Sequence, residues 1–192
     1  MQKPELRALL RKRRQTLSLT EQATAAQALS QHLQQIPKLS TPKNIGLYFP
    51  SDGEISPLGY ATSHPEHRYY LPSLCLNEKR LLHFHPWQPE EPIQYNHLNV
   101  AEPVAQQSTK EALTLDVILM PLVGFDEKGT RLGMGGGFYD YTLRHWQEAK
   151  FKPYLIGIAH GCQYYRGLQQ DPWDIPLNAV VTDEETLIFP QG

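Results

Sequence analysis

The sequence has 192 residues, and its 18 lysines and arginines against 20 aspartates and glutamates leave a formal net charge of −2. This balance excludes a broadly basic nucleic-acid binder and a charged disordered tail. No run approaches the about eighteen consecutive apolar residues of a membrane span, and no apolar core follows the charges of Met1–Glu5 as in a secretory signal. Two cysteines, Cys75 and Cys162, are too few for a disulfide framework. We expect a cytoplasmic globular protein with one domain over residues 1–192.

Two helices are predicted within about residues 3–36. Ser18 and Glu21 have the spacing of a capping box, so the second helix should begin there and end before Pro37. We expect both helices to pack beside a sheet. Basic residues form a stripe at helical spacing on the first helix: Lys3, Arg7, Arg11 and Arg14.

Short apolar runs bounded by turn residues replace the helical pattern after residue 43, and they predict β-strands. The run Asp116–Pro121 is continuous and β-branched, as in the buried strands of parallel sheets. A helix is predicted from about Phe138 to Trp146, whereas Pro86–Ser108 shows no period and is interpreted as a long surface connection. Strands alternating with helices favour an α/β fold, with a central, mainly parallel sheet flanked by helices on both faces. The other predicted strands are Ile45–Phe49, Arg68–Leu71, Leu81–His85, Tyr154–Ala159, Ala179–Thr182 and Leu187–Phe189.

The most informative segment is rich in glycine: four of the five residues from Gly133 to Gly137 are glycine. Such a run is costly in backbone entropy, but it can turn several N–H groups toward one anion, beside the positive end of the following helix. Arg131 adds a full charge, and Asp140 could hold a divalent cation between phosphate oxygens. The segment matches neither a P-loop nor a dinucleotide fingerprint. We predict a phosphate site; the alternative is a flexible hinge between a strand and a helix.

Three further candidates are weaker when each is taken alone. Lys3 and Arg7 lie one helical turn apart and could clamp a phosphate, although most such stripes are solvated helix faces. Glu54 follows the first predicted strand, at the sheet edge where α/β proteins present functional groups, but a turn carboxylate is usually only solvated. Asp174 could share a metal with Asp140 or simply cap a turn.

A longer motif contains the glycine run: Phe125-Asp126-x-x-Gly129-x-Arg131-Leu132-Gly133-Met134-Gly135-Gly136-Gly137-Phe138-Tyr139-Asp140. Further matching segments are Lys3-x-x-x-Arg7, Tyr48–Glu54 and Trp173–Leu177. Together these residues resemble the 5-formyltetrahydrofolate cyclo-ligase family, also called 5,10-methenyltetrahydrofolate synthetases. The resemblance extends over almost the whole chain.

This resemblance implies a ligase that uses ATP and Mg²⁺ to convert 5-formyltetrahydrofolate to 5,10-methenyltetrahydrofolate, with release of ADP and phosphate. The formyl oxygen would be phosphorylated, with Arg131 and Glu54 as catalytic residues and with Asp140 and Asp174 serving the magnesium. The implied ATP contacts are Lys3, Arg7, Arg131, Leu132, Gly133, Met134, Gly135, Gly136, Gly137, Phe138 and Tyr139. The implied folate contacts are Phe49, Glu54, Met134, Gly135, Gly136, Gly137 and Phe138, so that part of the loop would lie between the two substrates.

One departure from the family concerns the charge of the loop. Some members carry a basic residue inside it, whereas Met134 and Gly136 are uncharged here. The phosphate charge would then fall on Arg131, the N-terminal basic residues and the metal. We expect a monomer that binds these small molecules and neither nucleic acid nor membrane. Two other functions fit the residues: a sugar-phosphate-binding, isomerase-like protein of related α/β architecture, and a regulatory folate- or nucleotide-binding module without turnover.

Overall fold

The computed structural model describes residues 2–75, 78, 80–104 and 108–190. Its α-helices are α1 (Lys3–Gln15), α2 (Leu19–Gln34), α3 (Leu58–Ser63) and α4 (Phe138–Thr142). Its strands are β1 (Asn44–Gly46), β2 (Arg68–Leu74), β3 (Leu82–Trp87), β4 (Ile93–Tyr95), β5 (Ala101–Pro103), β6 (Val117–Pro121), β7 (Gly124–Phe125), β8 (Arg131–Leu132), β9 (Tyr154–Ile158), β10 (Ala179–Val181) and β11 (Thr186–Ile188).

Seven strands form one sheet in the order β11-β10-β9-β6-β1-β2-β3. The inner strands from β10 to β2 are parallel, and the edge strands β11 and β3 run antiparallel to their neighbours. The predicted α/β class with a mainly parallel sheet is therefore confirmed. Chain order reverses between β1 and β6, so the segments that follow these two strands diverge and leave a crevice at their carboxyl ends.

Both faces of the sheet are covered, as β6 illustrates. Val117 and Leu119 pack in one buried cluster with α2 and α3, while Ile118 and Met120 pack in a second cluster with Trp146, which follows α4. Successive strand residues point to opposite faces, so a strand buried on both sides is apolar throughout. Each such side chain contributes about 1.5–3 kcal/mol through burial.

The two N-terminal helices pack on different parts of the molecule. The capping box at the start of α2 is confirmed, because the Glu21 backbone N–H donates to Ser18 Oγ and the Glu21 carboxylate accepts from the Ser18 backbone N–H. α2 then packs on the sheet through residues such as Leu29. α1 packs instead on the β7–β8 hairpin, where Leu6 and Leu10 meet Val123 and Leu132. Its N-terminus therefore lies beside the segment that follows β8.

Three sequence predictions of secondary structure are wrong at least in part. The strand predicted at Ile45–Phe49 ends at Gly46. α4 ends at Thr142 rather than Trp146, and the chain continues in turns while the Trp146 indole N–H donates to the Pro153 carbonyl. Within Pro86–Ser108, interpreted as an irregular connection, the short strands β4 and β5 pair as a hairpin. Strands of three residues are too short to show a clear alternation in the sequence.

Two further observations concern the chain as a whole. Cys75 and Cys162 are free thiols. Among the described residues, no helix has both the length and the apolar character needed to cross a membrane.

Candidate active site

A cleft of about 770 Å³ opens at the carboxyl ends of β1 and β6, where the strand order reverses. Its volume lies within the range of about 300–1,000 Å³ that is usual for small-molecule sites. α1, the segments after β1 and β6, the β4–β5 hairpin and the segment after β8 all contribute to its walls. Every residue that the sequence analysis assigned to a site lines this cleft. The structure thus brings these residues together.

The glycine loop, residues 133–137, has the backbone conformation that its composition suggests. Gly135 and Gly137 have φ values of +100° and +67°, which L side chains rarely adopt. Arg7 packs directly on this loop: its Nε donates to the Gly133 carbonyl at 2.8 Å, and a Cβ on Gly135 would lie 3.4 Å from Arg7 Cζ. The following helix α4 has only five residues, so its dipole adds less positive potential than the predicted longer helix would.

Cations gather at this end of the cleft, but two of them already have acidic partners. Arg131 has a side chain that is only 6% exposed, and its Nη2 donates to Asp140. Lys3 forms an ion pair with Asp171 at 2.5 Å. Arg7 has no ion-pair partner among the side chains that the structure describes. The positive charge of Arg7 beside the glycine loop is therefore not balanced by a carboxylate of the described residues.

Two predicted metal ligands, Asp140 and Asp174, lie in adjacent segments of the cleft. The backbone N–H of Ile175 donates to Asp140 Oδ1 at 3.4 Å, which brings the residue after Asp174 against Asp140. Within the described ranges, no group of three His, Cys, Asp or Glu side chains is arranged to hold a metal ion. Mg²⁺ commonly binds through one or two carboxylates together with water and substrate phosphates. Asp140 and Asp174 could supply such carboxylates, but the described residues form no closed metal cage.

Glu54 lies at the other end of the cleft. Its side chain is 11% exposed, and its carboxylate accepts hydrogen bonds from the Ser51 backbone N–H at 3.0 Å and from Ser51 Oγ at 3.3 Å. Burial raises the pKa of Glu54 above its ordinary value, while the nearby Arg14 guanidinium opposes that rise. Glu54 is consequently a carboxylate with an increased affinity for protons.

Apolar residues surround the Glu54 end of the cleft. Phe49 makes an edge-to-face contact with Trp87, with ring centroids 6.5 Å apart. The β4–β5 hairpin, which the sequence analysis did not predict, adds residues to the lining of the cleft. The apolar lining residues of the whole cleft include Phe49, Pro72, Leu74, Leu82, Leu98, Val100 and Ala101. This apolar lining suits a flat, largely apolar ligand, whereas the glycine loop suits an anion.

Sequence reasoning missed one further cation near the loop. Arg80 Nη1 lies 4.0 Å from the position that a Cβ on Gly137 would occupy. Trp173 was also missed. It is exposed and lines the cleft, but the sequence predicted no role for it beyond its place in a motif. Arg80 stands far from the glycine loop in the chain, and no spacing pattern links it to that loop.

The fold and the cleft define an α/β protein with a cleft at the carboxyl edge of its sheet, lined by a glycine loop and by a buried carboxylate. The chain belongs to the 5-formyltetrahydrofolate cyclo-ligase family, whose model matches residues 1–183. It is therefore an enzyme of the ligase class, and the resemblance inferred from the motifs is confirmed.

Individual relatives support this assignment over nearly their full length. The chain is 39% identical over 176 residues to 5-formyltetrahydrofolate cyclo-ligase of Haemophilus influenzae, covering 90% of this chain and 93% of that one. It is 37% identical over 177 residues to the protein of the same name from Escherichia coli K12, covering 91% and 96%.

Solved structures show the same fold. The NMR structure of 5,10-methenyltetrahydrofolate synthetase from Aquifex aeolicus matches with a TM-score of 0.84 and 27% identity, covering 100% of this chain and 95% of that one. A 5,10-methenyltetrahydrofolate synthetase from Mycoplasma pneumoniae matches with a TM-score of 0.71 and 26% identity, covering 95% and 99%.

Proposed function

We propose that this enzyme uses ATP and Mg²⁺ to cyclise 5-formyltetrahydrofolate to 5,10-methenyltetrahydrofolate, with release of ADP and phosphate. One observation carries the proposal: a single cleft is lined by the glycine loop, by apolar side chains and by the buried carboxylate of Glu54. The names of the Haemophilus influenzae and Escherichia coli relatives support the choice of substrate. The loop residues Met134–Phe138 would lie between the nucleotide and the folate.

The reaction needs activation because a formamide oxygen is a poor leaving group. In the first proposed step, the formyl oxygen attacks the γ-phosphorus of ATP, the bond from that phosphorus to the bridging oxygen of ADP breaks, and an iminium phosphate forms. In the second step, the other folate nitrogen attacks the formyl carbon and loses its proton. This attack forms the new C–N bond and closes the five-membered ring. Phosphate then leaves with the electrons of the C–O bond, and the ring becomes the methenyl cation.

Phosphoryl transfer requires mainly that the reactants are positioned in line and that charge is neutralised. The glycine loop would donate main-chain N–H groups to the triphosphate, and Arg7 would supply a positive charge that no carboxylate of the described chain neutralises. Arg131 has a buried Nε with no hydrogen-bond partner among the described residues, and a phosphate oxygen would satisfy that donor. Lys3, held by Asp171 at the rim, would add a further cation.

Asp140 and Asp174 would hold the magnesium ion, which when bound neutralises charge on the phosphate oxygens. Glu54 would orient the attacking folate nitrogen. Since burial raises its pKa, Glu54 is also suited to accept the proton that this nitrogen loses. Phe49 would pack against the folate ring.

The test is a turnover assay with purified protein, ATP, Mg²⁺ and 5-formyltetrahydrofolate. We expect the near-ultraviolet absorbance of the methenyl product to appear together with one ADP per product molecule, and to be absent when ATP is omitted. A folded protein that gives no such signal would refute the proposal. Turnover of a sugar phosphate without ATP would favour the isomerase alternative, and binding of folate without nucleotide consumption would favour the regulatory module.

A further inference from the structure

Arg14 of α1 is a fully buried cation that donates hydrogen bonds to the turn at Asp52 and to the segment after β6. Its side chain is 0% exposed. Its Nε donates to the main-chain oxygen of Asp52 at 2.8 Å, Nη2 donates to the Asp52 carboxylate at 2.8 Å, and Nη1 donates to the Leu122 carbonyl at 3.2 Å. A buried charge is tolerated only when it is paired in this way. The planar fork therefore holds both the backbone and the side chain of Asp52.

The turn that Arg14 holds has an unusual backbone. Asp52 and Gly53 have φ values of +52° and +74°, so two successive residues occupy the left-handed region. α1 contacts the turn in two further ways. Arg11 Nε donates to the Asp52 carboxylate at 2.8 Å. Gly53 packs so closely on the helix backbone that an added Cβ would lie 3.3 Å from the Arg14 carbonyl oxygen. The helix thus supports a conformation that the turn would rarely adopt alone.

Glu54 follows this turn directly. We propose that Arg14 is a positioning residue, which orients the Glu54 carboxylate in the cleft by fixing the Asp52–Gly53 turn. Arg14 Nη2 also lies 3.7 Å from Glu54 Oε1, a distance at which the two charges attract although they do not form a hydrogen bond. The inference rests on the proposed function for the role of Glu54 in catalysis. The effect of Arg14 on the position and pKa of Glu54 does not depend on turnover.

The charges around Glu54 give this proposal a signed test. Burial is the largest influence on the pKa of Glu54 and raises it. Arg14 lowers this pKa, whereas Asp52 raises it. Loss of the positive charge at position 14 should therefore raise the pKa of Glu54 further, and loss of the negative charge at position 52 should lower it. The charged and titratable groups that face Glu54 are Arg11 and Arg14 from α1, Asp52 from its own turn, Tyr48 after β1 and Tyr139 from α4.

The first measurement is the carboxyl pKa of Glu54. It is obtained from a carbon NMR titration of protein labelled at the glutamate carboxyl groups, in which the Glu54 signal is assigned with Glu54→Gln. We expect a higher pKa in Arg14→Gln and a lower pKa in Asp52→Asn. The matched control is Lys12→Gln, an exposed position on the same helix, which should leave the pKa unchanged. An unshifted pKa in folded Arg14→Gln, or shifts of the same sign in both variants, would overturn the proposal.

The second measurement separates the charge of Arg14 from its geometry. In Arg14→Gln, kcat/KM for 5-formyltetrahydrofolate should fall by about 10- to 100-fold, because small misplacements of a catalytic group are costly, while KM for ATP stays within about twofold. Arg14→Lys keeps the positive charge but lacks the planar guanidinium. Its Glu54 pKa should therefore equal that of the wild type, while its kcat/KM should lie between those of the wild type and Arg14→Gln. Equal kcat/KM in Arg14→Gln and Lys12→Gln would contradict a positioning role.

Two controls keep the outcomes distinct. Thermal unfolding identifies any variant that fails to fold. If Arg14→Gln is such a variant, Asp52→Asn still tests one sign of the pKa shift, and Arg14→Lys still tests the geometry. The NMR titration works whether or not the protein turns over folate. Failure of the proposed function therefore appears as an inactive wild type, and failure of this inference appears as an unshifted Glu54 in a folded variant.

Discussion

The two ends of the cleft are assembled in different ways. At the glycine loop, one short segment from Arg131 to Asp140 supplies the loop, a cation and a carboxylate. At Glu54, the carboxylate depends on Arg14 from a distant helix, and it shares the cleft with apolar residues from several segments, including the β4–β5 hairpin. A site built within one segment leaves a motif that can be recognised, whereas a site built from several segments becomes visible only in the fold.

The two ends also differ in how their charges are balanced. Near the loop, Arg7 remains unpaired among the described residues while Arg131 and Lys3 have acidic partners. At Glu54, the only cation within ion-pair distance in the described chain is Arg14. Substitutions at the loop should therefore affect the nucleotide, and substitutions around Glu54 should affect the folate and the pH dependence.

The largest effect is expected from Asp140→Ala. This change removes a proposed magnesium ligand and leaves the buried Arg131 guanidinium without its partner. We expect kcat to fall by about 100- to 1,000-fold, as when one group that stabilises transition-state charge is lost. The measurement is turnover as a function of Mg²⁺ concentration, with circular dichroism to confirm the fold. Near-normal activity at limiting Mg²⁺ would refute the metal role.

Glu54→Gln should lower kcat/KM for folate by about 100-fold, the effect of losing a positioned proton acceptor. In the wild type, kcat/KM should rise with pH through the pKa of Glu54, which burial places above its ordinary value. Protonation below that pKa removes the carboxylate, so this acidic limb should vanish in the variant. A pH profile with the same acidic limb in both proteins would show that another group titrates.

Gly135→Val tests the glycine loop itself. A branched side chain at a φ of +100° is strained, and its Cβ would lie against the Arg7 guanidinium. We expect the affinity for ATP to fall about 10-fold or more, with little change for folate, when binding is followed by calorimetry. Gly133→Ala is the matched control, since an added Cβ there meets nothing within 4 Å. Equal ATP affinity in the two variants would argue against close approach of phosphate to the loop.

Arg7 and Lys3 provide a smaller comparison within the nucleotide end. Arg7→Ala should raise KM for ATP by about 10-fold, because it removes a charge-assisted donor that no carboxylate neutralises. Lys3→Ala should raise it only about threefold, since Lys3 is paired with Asp171. The reverse order would show that the triphosphate displaces Asp171 and relies on Lys3.

The smallest effect concerns stability at the Glu54 end. The hydrogen bond from Arg11 is the main cause that lowers the pKa of Asp52 from 3.8 to about 2. The stabilisation is therefore present above pH 3.8 and is lost as the pH falls toward 2. Asp52→Asn should lower the free energy of unfolding by about 1–3 kcal/mol at pH 7, because Asp52 is partly exposed but its buried partner Arg14 loses a carboxylate. Urea unfolding at pH 7 and pH 3 checks this, and an equal loss at both pH values would contradict it.

The fold could be predicted where burial or capping leaves a local pattern. β6 and β9 are continuous apolar runs, and the capping box at Ser18 marks the start of α2. The end of α4 and the β4–β5 hairpin could not be predicted, because turns beyond Thr142 and strands of three residues depend on tertiary contacts.

The same distinction holds for the site. The glycine motif and its neighbours Arg131 and Asp140 stand out in the sequence because they are contiguous. The basic stripe on α1 led to Lys3 and Arg7 as phosphate contacts, and both line the cleft. That Arg14 of the same stripe is buried behind the Glu54 turn could not be predicted. That division follows from the position of α1 against the β7–β8 hairpin, which no spacing in the sequence specifies.

The most direct test of the account is a crystal structure with a nonhydrolysable ATP analogue and 5-formyltetrahydrofolate bound together. We expect the γ-phosphate within hydrogen-bond distance of main-chain N–H groups in residues 133–137, and the pteridine ring between Phe49 and Glu54. Either ligand bound in a different cleft, with the glycine loop making no phosphate contact, would contradict the account.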